Sequence, residues 1–160
     1  MRSAFLCFAT FTLAACATGD QTGDTAGATT GATSAAATPT APAPINLADV
    51  AGVWTVRGMN MAGDSTLVTY ELKATADTTG WTITFPGRPA VPVRVVAVAG
   101  DSVITEAGPY QSTLRRGVNV RTTGAFRLQD GKLVGHTVAR YDTRGADSVL
   151  MVRSEGTRKP

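Results

Sequence analysis

From residue 47 to residue 160 the sequence alternates between apolar and polar side chains, and a turn signal interrupts the alternation at short, regular intervals. Val68, Tyr70, Leu72 and Ala74 fall on one face of an extended segment, and Thr69, Glu71, Lys73 and Thr75 fall on the other. Further on, Val118, Val120, Phe126 and Leu128 separate in the same way from Asn119, Arg121, Thr123 and Arg127. A period of two is the signature of a half-buried strand. Asp77-Thr78-Thr79-Gly80, Gly100-Asp101 and Asp130-Gly131 are turns, and an Asp-Gly pair between alternating segments is a strong hairpin signal. The pattern predicts eight strands, at 52–59, 65–76, 81–85, 91–99, 102–107, 118–128, 132–143 and 148–157. Gly108-Pro109 is expected to end the fifth strand and open an irregular connection that runs to Gly117.

No helical period is sustained after residue 46. Only residues 47–51 can form a helical turn, with Asn46 as its cap. Parallel strands need crossovers of a dozen or more residues, and this chain has none to spare. The fold class is therefore all-β, an antiparallel meander. Closing eight such strands into an up-and-down barrel removes both exposed edges, so a barrel is the expected form and a two-sheet sandwich the alternative.

The first third of the chain is different. Residues 1–15 hold a short basic start and an apolar run too short to cross a bilayer as a helix, the pattern of an export signal. The run ends in Leu13-Ala14-Ala15-Cys16, which resembles the lipobox of bacterial lipoproteins. The resemblance implies cleavage before Cys16, a diacylglycerol on its sulfur and an acyl chain, such as palmitate, on its new amino group. It places the protein in the cell envelope, held to a membrane by lipid. Ala17 stands where an Asp tends to retain such proteins in the inner membrane, so the outer membrane is the expected site. Residues 17–46 hold nine Ala, eight Thr, four Gly and three Pro, with Ile45 as the only large apolar side chain. Such a segment buries too little apolar surface to offset its ordering entropy and reads as a tether. The expected organisation is signal at 1–15, lipidated Cys16 and tether at 16–46, and barrel at 47–160.

The opening of the barrel region, Leu47-Ala48-Asp49-Val50-Ala51-Gly52-Val53-Trp54, resembles that of lipocalin-like barrels. There a helical turn leads into a Gly-x-Trp on the first strand, and an Arg from the last strand packs over the Trp. The resemblance implies that Trp54 closes one end of the barrel under Arg153, with Arg158 as a second candidate. It also implies a carrier of a small apolar or amphipathic ligand. Tyr70, Trp81 and Phe126 are the candidate lining residues of such a pocket, and the same aromatics equally suit a filled core, the form favoured for a domain this small.

Catalytic constellations are absent from the sequence. His136 is the one histidine, and both cysteines, Cys7 and Cys16, precede the tether, so the barrel region has no disulfide and no set of zinc ligands. Asp64, Asp77, Asp101, Asp130 and Asp147 occupy turns, where Asp is the expected residue. Nucleotide-binding and nucleophile-elbow motifs are missing. The basic residues are dispersed and do not interleave with aromatics, which argues against nucleic acid. The expectation is a non-catalytic module without cofactor, tethered to a membrane through Cys16. It would contact an envelope protein or serve a structural role, with the small-ligand carrier as the alternative.

Overall fold

A computed structural model of the protein describes residues 43–160; the expected export signal, Cys16 and most of the tether lie outside the described residues. After a one-turn helix α1 (Leu47–Val50) come eight strands: β1 (Gly52–Met59), β2 (Thr66–Ala74), β3 (Trp81–Thr84), β4 (Val91–Ala99), β5 (Ser102–Gln111), β6 (Asn119–Gln129), β7 (Lys132–Tyr141) and β8 (Val149–Arg158). Each pairs antiparallel with the next, and β8 pairs with β1, so the sheet closes into an up-and-down barrel and not a sandwich.

Strand β5 differs from the sequence expectation. It does not end at Gly108-Pro109 but continues to Gln111, with the register against β6 shifting between Ala107 and Tyr110. Proline cannot donate to a ladder, and a bulge accommodates it. Gly108 makes the bulge possible. Its φ is +104°, and a Cβ there would meet the Val120 carbonyl oxygen at 2.6 Å. The irregular connection thus shrinks to the short loop 112–118 at one end of the barrel.

The inward faces of the strands divide the interior. Near the end where the chain enters, Trp54, Trp81, Leu72, Leu133, Val50, Val56 and Val103 are almost wholly buried. Each Trp buries on the order of 200 Å², a stabilisation on the order of 5 kcal/mol. Both indoles tie a connection to the core, Trp54 Nε1 donating to the Val50 carbonyl at 2.8 Å and Trp81 Nε1 to the Asp77 carbonyl at 2.7 Å. Asn46 caps α1 by accepting from the Ala48 N–H at 3.0 Å, and the Ile45 N–H donates to the Gly100 carbonyl at 2.9 Å. Ile45, which reads as tether in the sequence, packs on the core.

The cation over Trp54 is Arg158, not Arg153. The Arg158 guanidinium carbon stands 4.3 Å from the ring centroid, and its nitrogens donate to the carbonyls of Ala51 and Asp49. Register decides the difference: Arg158 pairs with Trp54 across β1 and β8, whereas Arg153 pairs with Met59. Arg153 faces outward near the other end, beside Gly63 in the β1–β2 turn. One guanidinium therefore joins the last strand, α1 and the buried indole. Arg158→Ala should lower the unfolding free energy by about 1–3 kcal/mol, through lost charged hydrogen bonds and the cation–π contact. Arg153→Ala should change it by less than about 0.5 kcal/mol. Urea unfolding of the two variants side by side checks the assignment.

Candidate functional site

Toward the end where α1 is absent, the inward side chains become smaller and more polar. β7 contributes Thr137 and Ala139, β5 contributes Thr105 and Ala107, and β6 contributes Thr122 and Gly124. Side chains of this size do not fill an eight-strand barrel, and a cavity of about 80 Å³ remains. Gly124 keeps part of it clear, because a Cβ there would lie 2.4 Å from the Phe126 ring. Leu72, Ile83, Val93 and Phe126 form the floor above the two tryptophans.

Three aromatic rings make one wall. Tyr70 and Phe85 have centroids 5.6 Å apart at an interplanar angle of 53°, and Phe85 and Tyr110 are 5.5 Å apart at 34°. Tyr141 stands in the lining as well. Loop 112–118 covers part of the mouth and contributes Thr113 and Leu114 to it. The loop is pinned at several points. Ser112 Oγ accepts from the N–H groups of Leu114 and Arg115 at 3.1 and 2.9 Å, and Arg88 donates to the Gln111 carbonyl at 2.6 Å. Arg115 lies 3.9 Å over the Tyr141 ring and donates to the Asp147 carbonyl, which joins the loop to the β7–β8 connection.

None of the lining residues carries a formal charge, but many carry a hydroxyl. Thr137 and Ser154 hydroxyls are 3.1 Å apart, and Thr105 Oγ1 donates to the Gly124 carbonyl at 3.4 Å. Burial pushes the Tyr70 phenol well above its usual pKa and nearby Tyr110 adds to the shift, while hydrogen bonds from Ser154 and Thr137 partly counter it. The residue keeps some exposure through the cavity, but its hydroxyl lies against Ser154, which is 1% exposed. Burial also raises Tyr110, opposed by a hydrogen bond from Thr122. These phenols stay neutral through the physiological range, so the pocket offers hydrogen bonds and aromatic surface without ionic chemistry.

Of the three side chains expected to line a site, Tyr70 and Phe126 do so. Trp81 does not: it is 1% exposed and belongs to the filled end. Phe85, Tyr141 and the threonines escape a sequence reading, and Tyr110 is legible there only as part of an irregular connection suited to a partner contact or a pocket lid. Tyr110 follows the bulge, which resets the parity of β5, and the inward positions of β7 alternate Leu133, Gly135, Thr137, Ala139 and Tyr141, too weakly apolar to mark a face. Once β6 and β7 are paired, the inward set follows from register alone. His136 is exposed on the outer face, and among the described residues no three His, Cys, Asp or Glu side chains gather as a metal site. The fold and the pocket together define a small closed β-barrel with a partly hollow mouth. No family model, curated protein or solved structure matches the chain.

The buried phenols give an alkaline signature. A phenol with a raised pKa holds its proton in the folded state after the unfolded chain has lost it. Its contribution to stability is full below the unfolded value of about 10 and is lost as the pH climbs above it. Unfolding free energy should therefore fall above about pH 10, and Tyr70→Phe should flatten that fall while costing about 1 kcal/mol at neutral pH. Tyrosinate absorbance together with urea titrations at neutral and alkaline pH measures both.

Proposed function

We propose that the protein is a lipid-anchored envelope lipoprotein whose barrel binds one small, uncharged, largely apolar group in the mouth pocket. The observation that carries the reading is the cavity of about 80 Å³, walled by Tyr70, Phe85 and Tyr110, floored by Phe126 and free of charged side chains. A water molecule needs roughly 10–15 Å³ by this kind of measure, so the space takes a ligand of about six to eight heavy atoms. Sites for larger metabolites run to several hundred Å³. The occupant is thus a small ring or a short chain with one hydroxyl-bonding atom, or such a group at the end of a longer molecule. With no charged group in the lining, the reading assigns binding and not catalysis.

A lipocalin-like origin of the barrel is supported by the one-turn helix before Gly52-Val53-Trp54 and by Arg158 seated over Trp54. Anchoring rests on Leu13-Ala14-Ala15-Cys16, which lies outside the described residues. In this reading the tether holds the barrel within reach of a membrane.

Benzyl alcohol, a neutral ring with one hydroxyl, is a suitable probe. Added to the isotope-labelled chain, it should shift backbone amide resonances around Tyr70, Phe85, Tyr110 and Phe126. Ala139→Leu fills the cavity from β7 and should abolish those shifts while keeping or raising the melting temperature. Absence of shifts at saturating probe, or an undiminished response in Ala139→Leu, would overturn the reading.

A further inference from the structure

The outward faces of β6, β7 and β8 carry the whole net charge of the barrel. Residues 43–160 hold fourteen Lys and Arg and ten Asp and Glu. Arg121 and Arg127 on β6, Lys132 and Arg140 on β7 and Arg153 on β8 face outward together, with Glu155 as the one acid among them. What remains of the domain is balanced at nine of each sign. Glu155 is already engaged, 3.3 Å from both Arg57 and Lys132. Arg121, Arg127, Arg140 and Arg153 form no ion pair among the described residues.

The ladder sets two of these cations against each other, Arg121 directly opposite Arg140, and places Arg153 directly opposite His136. Like charges at directly opposed positions destabilise a sheet unless a counter-charge joins them. Each pair borders a shallow groove. One, of about 550 Å³, is lined by Arg127, Lys132, His136 and Arg153 with Ser102 and Asp130 at its edge. The other, of about 500 Å³, is lined by Arg121, Arg140, Thr123 and Val138 with Glu106, whose carboxylate Arg94 holds at 2.6 Å. The pairs are four residues apart along β7, about 13 Å. Between and beside them stand Val138, Met151 and Val149, the last two 46% and 48% exposed.

We infer that this face docks on an anionic phospholipid surface, each basic groove taking a headgroup phosphate while Met151 and Val149 enter the interfacial layer. Basic side chains interleaved with exposed apolar ones on one surface fit a bilayer interface, where charge and apolar burial add. The tether of the proposed function serves only to bring the face near a membrane, and the docking itself needs no anchor.

The test uses the chain from Ala17 to Pro160, which lacks the lipidation site but retains every strand and the whole core. It should sediment with vesicles of phosphatidylglycerol and phosphatidylcholine, fail to sediment with phosphatidylcholine alone, and be released by raised salt. Replacing one Arg of each groove, R121S with R153S, should weaken binding about thirtyfold. Lys73→Ser with Lys159→Ser, on the wall of β2 where Lys159 pairs with Glu71, should leave binding within about twofold. Met151→Ser should weaken vesicle binding and leave binding to soluble polyphosphate unchanged. Equal sedimentation with both vesicle types, unchanged binding in the R121S/R153S variant, or Met151→Ser acting equally on polyphosphate would each overturn the inference. None of these outcomes bears on the mouth pocket, which the benzyl alcohol titration tests separately.

Discussion

The pairing of β8 with β1 is the contact on which everything else depends. It turns a meander with two unpaired edges into a closed sheet, and closure is what gives the sheet an inside. Six ladder positions join the two strands, and the Trp54–Arg158 pair is the first of them. The same register puts the Arg158 guanidinium over the Trp54 ring and within reach of the α1 carbonyls. Backbone closure and the plug at the chain-entry end are therefore one event. A register slip of one residue would turn Arg158 to the outer face and leave Trp54 without its cover, so the pair also specifies the pairing it stabilises.

Side-chain volume then decides what the inside becomes. Two tryptophans, two leucines and several valines fill the plugged end and are almost wholly buried there. Toward the mouth the inward positions pass to Thr, Ala and Gly, and the aromatic residues there stand along the wall. Hydroxyls at the mouth satisfy one another and the backbone, so the pocket is polar enough to hold its shape and neutral enough to exclude ions. A partly filled barrel of this kind is packed at one end and keeps an uncharged cavity at the other.

Much of this was legible in the residues. Alternation located all eight strands, with β1 and β4 matching to the residue, because an inward apolar face and an outward polar one are written directly into a period of two. Expectation and structure part where that period carries no weight. In β5 the bulge at Gly108-Pro109 shifts the parity without breaking the strand, so Tyr110 reads as loop in the sequence and lines the pocket in the fold. In β7 the inward residues include Gly135 and Thr137, and the apolar Val134 and Val138 face out, which inverts the hydrophobic signal. The choice between Arg153 and Arg158 depends on the shear of the closed barrel, a long-range quantity that no local window contains. Trp81 reads as a pocket aromatic in the sequence, yet its bulk is buried in the filled end.

That inversion in β7 links the two halves of the functional argument. A strand with Gly135, Thr137 and Ala139 at the middle of its inner face and Val134, His136, Val138 and Arg140 outside gives up apolar burial within the barrel and presents apolar and cationic groups to the surroundings. Inside, the missing volume is the cavity. Outside, the same strand forms the centre of the basic face, flanked by Arg121 of β6 and Arg153 of β8. Neither feature favours the isolated fold: a void forfeits contacts, and opposed cations repel. Under the two proposals each cost is offset by a ligand, a neutral group in the mouth and an anionic surface against the wall.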